Sequence, residues 1–415
     1  MSRRGLSRGL PWLAAACTAA PLIVVSLYAQ APAAPGAVLT LQTAVEQALM
    51  RNPSIAAARL TGAVNAAGLL VARERLNPEL SVELERETPK QAFGVAVPLE
   101  LGGKRERRIA VSQATIAVGD AELAATIADI RNEVRRAYFD AVVADAKLTL
   151  LREQRDLAQR TRDTAQARFD SGDAPRLEVV QADLALATTD NDVTGAQGAV
   201  TAARTKLNAL LGLPLDTVSS LSTAIDEGGA GTVAVPTDIV PRSTAVIVLD
   251  RELDAQRAKL RLAEALRTPD ITPSATLTHD SDPEFTWGWR AAFAVTLPIF
   301  TSHKAGVVVE ERTLDQLTAE RDATVRKITA DVAAATTTAE SQRQVYMRYR
   351  DTIVPQAQQL EQLAQDAYQL GQTGIAALLQ ALQASRDVRL KALDAASQFQ
   401  TSLADLERAI GAPLP

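Results

Sequence analysis

The strongest constraint on this chain is that its sequence is written twice. Ala92-Phe93-Gly94-Val95-Ala96-Val97-Pro98 recurs as Ala292-Phe293-Ala294-Val295-Thr296-Leu297-Pro298, and Lys104 has a counterpart in Lys304 at the same offset. Phe169-Asp170-Ser171-Gly172 corresponds to Tyr368-Gln369-Leu370-Gly371, and LNALLGLPL at 207–215 corresponds to LERAIGAPL at 406–414. These matches keep their order and spacing, as a duplicated structural unit does. Residues 216–241 between the halves are rich in Gly, Ser, Thr and Pro, a linker composition. The expected division is a leader over 1–31, a first repeat over 32–215, the linker, and a second repeat over 242–415.

Each repeat has the same plan. A helical stretch comes first, over 41–76 and 242–267. Two short strand-like runs follow, then a very long helix over 104–168 and 304–369. A glycine-containing turn and a shorter helix complete the unit. In the first long helix Leu123, Ile127, Ile130, Val134, Ala137, Ala141, Ala144, Leu148 and Leu151 alternate steps of four and three. Val325, Ile328, Val332, Ala335 and Ala339 do the same in the second. These are heptad seams. Their alanines let neighbouring helices approach closely. A helix of roughly 65 residues is about 100 Å long, too long for an ordinary globular domain. In the first half, the two shorter helices together match that length, so one is expected on each half of the long helix. Heptads alone describe a structural rod equally well.

The N-terminus reads as a secretory leader. Arg3, Arg4 and Arg8 precede an apolar stretch over 10–27, and Ala29-Gln30-Ala31 offers a small-x-small cleavage site. Pro11 and Pro21 disfavour a membrane-spanning helix there. Cys17, the only cysteine, leaves lipidation as an alternative. A single cysteine excludes disulfide scaffolds and cysteine metal sites. Two histidines and three methionines leave little soft-metal chemistry, and a net charge of −5 argues against nucleic acid. Gly103-Lys104 is not a nucleotide loop, because Pro98 stands where its first glycine belongs and Arg105 replaces the Ser or Thr. His279 and His303 share no ligand spacing and read as surface residues. No catalytic constellation or cofactor site is found, so an enzyme is not expected.

The strands decide between rod and channel. Leu80, Val82 and Leu84 alternate with Ser81, Glu83 and Glu85. Trp287, Trp289, Ala291, Phe293, Val295, Leu297 and Ile299 form one face of another run, with Gly288, Arg290, Ala292, Ala294 and Thr296 opposite. Thr272, Ser274, Thr276 and Thr278 alternate with Pro273, Ala275 and Leu277. One apolar and one polar side fits a strand in an outer-membrane barrel, with Trp287 and Trp289 beginning an aromatic girdle. An amphipathic soluble sheet has the same period. The leader, and the lack of apolar surface elsewhere to cover the sheet, favour the barrel. Four strands cannot close a barrel, and an open edge in lipid is prohibitive. Copies must therefore pool strands: eight from a dimer, which pack solid, or twelve from a trimer, which can enclose a pore.

Together, the corners Pro98-Leu99-Glu100-Leu101-Gly102-Gly103-Lys104-Arg105 and Pro298-Ile299-Phe300, the turns at 168–172 and 368–371, and the paired terminators resemble the TolC-type outer-membrane efflux family over essentially the whole mature chain. The wording at 98–105, after Asn77-Pro78-Glu79-Leu80, most resembles the branch serving cobalt-zinc-cadmium and copper-silver efflux. The chain departs from lipidated members in lacking a mature N-terminal cysteine.

The resemblance implies a mainly α protein with a small β part: a homotrimer with a twelve-stranded barrel in outer-membrane lipid and a long helical tunnel in the periplasm of a Gram-negative bacterium. It implies an exit duct working with a periplasmic adaptor and an inner-membrane RND-type pump; no nucleic-acid partner is expected. It places gate and adaptor docking at the tips, here Arg168, Phe169, Asp170, Gly172 and Asp173 in the first and Tyr368, Gln369, Gly371, Gln372 and Thr373 in the second. The second tip carries no acidic residue, and Asp170 and Asp173 read equally well as helix caps. Metal cations are the expected cargo. A duct for organic solutes, a type I secretion duct and a periplasmic coiled-coil adaptor are the alternatives.

Overall fold

The structure, a computed structural model, describes residues 38–86, 89–222, 243–279 and 287–411. The expected leader with Cys17, the linker from residue 223 onward and the final Pro-Leu stop at 413–414 lie outside the described residues.

The first repeat opens with α1 (Leu41–Arg51), whose start is closed by reciprocal hydrogen bonds between Thr40 and Thr43. A single helix over 41–76 was the expectation; the chain instead breaks at Asn52 and resumes as α2 (Pro53–Arg73). The residue before a proline is pushed out of helical geometry, and Asn52 sits at φ −63°, ψ 127°. Its side chain turns the break into a cap, accepting from the Ser54 amide at 2.8 Å and donating to the Leu210 carbonyl at 2.8 Å. Strands β1 (Glu79–Leu84) and β2 (Gln91–Ala96) lead into α3 (Lys104–Asp170), 67 residues without interruption. After the first tip, α4 (Arg176–Leu211) runs back along α3 and ends at Gly212 in left-handed geometry, φ 65°. A Cβ at Gly212 would come within 2.5 Å of the Arg51 carbonyl, so only glycine lets α1 and α4 abut here. The α1–α2 pair and α4 therefore lie end to end along α3.

The second repeat repeats the plan: α5 (Thr244–Ala265), β3 (Ile271–His279), β4 (Trp287–Val295), α6 (Lys304–Arg348), α7 (Val354–Gln369) and α8 (Ile375–Ile410). The long helix expected over 304–369 has both its ends in place. Its interior carries a π-turn, Tyr349–Ile353, between α6 and α7. Pro355 is the physical cause: it has no N–H for the carbonyl one turn back, and its ring crowds that carbonyl, which a widened turn relieves.

The heptad seams become the cores. Ile130, Val134, Ala137 and Ala141 pack with Ala44, Ile55, Leu207 and Leu211, flanked by Leu123 and Ile127. Ile328, Val332 and Ala339 pack with Val246, Phe399 and Leu403, flanked by Val325 and Ala335. Ion pairs set the register between helices: Arg135–Glu407 at 2.5 Å joins α3 to α8, and Arg204–Asp145 at 2.7 Å and Arg162–Asp183 at 3.0 Å join α3 to α4. The exposed Arg162–Asp183 pair contributes about 0–1 kcal/mol, and the partly buried Arg135–Glu407 and Arg204–Asp145 pairs give back part of their attraction as desolvation, so most of the stability comes from the apolar seams. The four strands form one antiparallel sheet in the order β1-β2-β3-β4, in which β2 and β3 join the two repeats.

Candidate functional site: an apolar sheet face and two helical tips

Cross-strand register assembles the alternating residues into two continuous faces. Val82, Phe93, Leu277 and Trp289 lie side by side across the sheet, with Leu80, Val95, Ala275 and Ala291 as the next apolar row. The opposite face carries Ser81, Gly94, Thr276 and Arg290, with Glu83, Ala92, Thr278 and Gly288 beside them. The apolar face is uncovered: Trp289 is 82% exposed and Phe293 76%. Trp287, on the same face, lies with its ring 4.4 Å from that of His279. Leaving such a surface in water is costly, at about 25 cal/mol per Å², and a contiguous exposed apolar patch marks an interaction or membrane surface. The outer edges, β1 and β4, are unpaired among the described residues. The helix α2 also keeps Leu60, Val64, Leu70 and Val71 exposed.

The sequence motif at 98–105 proves to be an architectural corner. Lys104, buried, pairs with Asp270 at 2.7 Å. The Leu101 amide donates to the same carboxylate at 3.0 Å. Arg105 donates to the Arg73 carbonyl at 2.7 Å and Arg108 to that of Glu74 at 3.1 Å, so both satisfy the open C-terminus of α2. Arg108 also grips Glu100 at 2.5 Å. These cations are committed to the fold. Pro98 precedes Leu99, which pairs with Ile271; Pro298 precedes Ile299 and a fully exposed Phe300.

At the far end of the helices, the two tips meet. Gly172 (φ 84°) and Gly371 (φ 71°) reverse the chain in left-handed geometry. Tyr368, 1% exposed, crosses from the second tip into the first. Its hydroxyl donates to Glu178 Oε2 at 3.1 Å, and the Arg168 guanidinium lies 4.9 Å from its ring centroid. Arg168 Nη1 is 4.0 Å from the same Glu178 oxygen. Burial, and then the Glu178 carboxylate, push the Tyr368 phenol above its usual value, so it stays a donor. Beneath it Leu157, Ala165, Ala182, Ile375, Leu378 and Leu382 form a small core.

Of the tip residues predicted from sequence, Arg168 and Tyr368 are brought together. Asp170 and Asp173 stand outside this contact. Asp170 accepts from Gln166 at 2.8 Å, and Asp173 accepts from the Ser171 hydroxyl at 2.8 Å. Asp173 does not cap α4, whose N-cap is Pro175. Phe169 is partly exposed, Gln369 ends α7, the Gln372 amide closes the turn onto the Ala367 carbonyl at 2.8 Å, and Thr373 follows in the turn. Glu178 is the functional candidate that sequence reasoning passed over. Its place in the first turn of α4 was visible in the sequence, but its tyrosine partner in the other repeat was not. Between α3, α4 and α8 run two clefts of about 520 and 730 Å³, both bordered by Arg386, which donates to Asp192 at 2.8 Å.

Comparison with known proteins agrees with this geometry. The family model described as outer membrane efflux protein matches residues 44–213 and 241–412. The cobalt-zinc-cadmium resistance protein CzcC of Cupriavidus metallidurans is 24% identical over 384 residues, 90% of each chain. The open-state structure of the Neisseria gonorrhoeae MtrE outer membrane channel superposes with a TM-score of 0.75 at 20% identity, covering 90% of this chain and 89% of that one. A structure of CusC superposes with a TM-score of 0.73 at 19% identity, covering 90% of this chain and 92% of that one.

Proposed function

The chain belongs to the outer membrane efflux protein family, and from that premise we propose that three copies form the exit duct of a tripartite efflux system, conducting metal cations passively from an inner-membrane pump and periplasmic adaptor to the exterior. The single observation that carries this reading is the sheet: one continuous apolar face, left uncovered in the single chain, between two open edges. Three copies pooling four strands each give twelve, enough to enclose a pore, and closure removes the edges that lipid forbids. Trp287 and Trp289 then belong to the interfacial girdle. The polar face with Glu83, Thr278 and Arg290 lines the lumen.

The duct catalyses nothing. Transport needs weak contacts along the pore, while energy and selection come from the pump. The metal assignment rests on the likeness to the cobalt-zinc-cadmium resistance protein.

The gate, in this reading, is the tip contact. Tyr368, Glu178 and Arg168 tie the α7–α8 hairpin to the α3–α4 hairpin, and an adaptor seated along the clefts by α4 and α8 would release it. Single-channel conductance tests this. Arg168→Ala is expected to raise the open fraction, and Asp170→Ala to leave it unchanged. Unchanged conductance in Arg168→Ala removes that residue from the gate. For the cargo, the test is growth of a deletion strain against divalent metals, silver, dyes, detergents and antibiotics. Sensitivity to metals alone supports a cation duct. Sensitivity to organic compounds with normal metal tolerance overturns it in favour of an organic-solute or secretion duct.

A further inference from the structure

The corner after β2 is clamped to the strand that enters from the other repeat. The Val97 amide donates to the Pro273 carbonyl at 2.9 Å and the Leu99 amide to that of Ile271 at 2.9 Å. Lys104 closes the clamp on Asp270, just before β3.

The duplication extends to the sheet register, residue by residue. The pairs Leu80↔Val95, Ser81↔Gly94, Val82↔Phe93 and Glu83↔Ala92 of the first hairpin correspond to Ile271↔Val295, Thr272↔Ala294, Pro273↔Phe293 and Ser274↔Ala292 of the second. Leu80 therefore stands where Ile271 stands, and Glu79 where Asp270 stands; Asn77-Pro78-Glu79-Leu80 repeats Thr268-Pro269-Asp270-Ile271 in its proline and its acid. Lys304 stands where Lys104 stands. The backbone agrees. Gly103 (φ 69°) caps α3, and His303 (φ 54°) caps α6 in the same left-handed geometry, as the one non-glycine residue of positive φ among those described.

The second clamp nevertheless has nothing to close on among the described residues. Lys304 and Glu79 are both exposed, lie at opposite edges of the sheet, and form no ion pair among the described residues. Leu297, Ile299 and Phe300 of the second corner are 63, 71 and 100% exposed.

We infer that β4 of one copy pairs with β1 of the next in the register that β2 and β3 use within the chain, and that Lys304 forms an ion pair with Glu79 of that next copy. Translating Val95↔Ala275 and Ala96↔Ser274 places Val295 opposite Leu84, Thr296 opposite Glu83 and Leu297 opposite Val82 of the neighbour. An independent check comes from the faces. This register sets apolar Val295, Leu297 and Ile299 against apolar Leu84, Val82 and Leu80, whereas a slip of one residue would set Glu83 on the apolar face. The seam thus copies the internal junction, and each copy supplies the lysine at one edge and the acid at the other. The inference rests on the pooled barrel proposed above and adds its register and its specifying pair.

Cysteine pairs in a Cys17→Ser background test the register. Thr296→Cys with Glu83→Cys is expected to give covalent oligomers up to the trimer under mild oxidation, on a non-reducing gel. Thr296→Cys with Ser81→Cys, two residues away on the same face, is the control. Directly opposed Cβ atoms lie about 4.5–5.5 Å apart and diagonal ones about 7–8 Å, so the first pair should link at least about tenfold faster. The two positions lie on opposite sheet edges, so a link within one chain is excluded. Charge exchange tests the pair: Lys304→Glu and Glu79→Lys are each expected to lower the melting temperature of the trimer, and the double exchange to restore it. A trimer by native mass that links only through the control pair overturns the register while leaving the duct standing. Correct linking without rescue by the double exchange overturns the ion pair. A protein that stays monomeric in detergent and in lipid overturns both the seam and the assembly beneath it.

Discussion

The two long helices carry the same heptad signal and have different fates. In the first repeat, α3 is unbroken over 67 residues, with α1, α2, α4, α5 and α8 packed around it. In the second, α6 buries only Ile328, Val332 and Ala339, packs on α5 and α8, and gives way at Tyr349–Ile353 to a π-turn. A seam in the sequence therefore specifies which face is buried, and the surrounding topology specifies how much. The helix at the centre of the chain is finished by intramolecular packing. The other is left less covered: Val308 and Val309 on α6, and Leu360 and Leu363 on α7, stay exposed in the single chain.

The largest contrast should come from tyrosines on the two helices. Tyr138 on α3 is 1% exposed, donates to the Leu39 carbonyl at 3.0 Å and meets Phe139 edge-on. Tyr138→Ala should cost about 3–5 kcal/mol, as large aromatic truncations do in closed cores. Tyr346 on α6 is half-buried, stacked on Phe399 at 6.0 Å. Tyr346→Ala should cost less than half as much by thermal unfolding. Equal losses would mean that assembly buries α6 as fully as α3.

The π-turn gives a second way to break the comparison. Pro355→Ala restores an N–H and removes the ring that crowds the previous turn. Amide exchange over residues 349–353 should slow by about tenfold, about 1.4 kcal/mol of local opening, while α3 is unaffected. Unchanged exchange would mean that packing against α8, rather than proline, widens this turn.

What the sequence revealed follows from the same physics. The seams of α3 and α6 were legible because Ile130, Val134, Ile328 and Val332 repeat at helical spacing, and they are the residues that pack. The tips were legible because Gly172 and Gly371 interrupt long helical patterns. The break at Asn52 and the π-turn before Pro355 were overlooked because the apolar pattern continues through both prolines. Glu178 was overlooked for another reason: its partner Tyr368 lies 190 positions away, and no local pattern announces a contact between repeats.

That contact supplies a smaller effect. Tyr368→Phe keeps the ring under Arg168 and loses the hydroxyl's contacts, the hydrogen bond to Glu178 and the weaker one with Arg168. The cost should be about 0.5–1.5 kcal/mol, read as a raised open fraction in single-channel recordings. Adding Glu178→Gln to Tyr368→Phe should raise it little further, since both variants cut the same link. Additive effects would place Glu178 in a separate contact.

The smallest effect lies where the two long helices face each other across α5. Glu252 on α5 is half-buried. Burial first, then the carboxylates of Glu320 on α6 and Glu122 on α3, raise its pKa, with Lys259 partly offsetting them. A carboxyl whose pKa is higher folded than unfolded binds its proton more tightly in the folded state. It contributes stability below its unfolded pKa, and that contribution is lost as pH rises through the folded value. Near neutrality the charge is a liability, so Glu252→Gln should raise the melting temperature by about 1–2 °C there. The gain should shrink in high salt, which screens the neighbouring carboxylates, and vanish below about pH 4, where the parent is itself protonated. A variant less stable than the parent at neutral pH would mean that Lys259 outweighs the two acids, so that α5 bridges the long helices through an attraction rather than despite a repulsion.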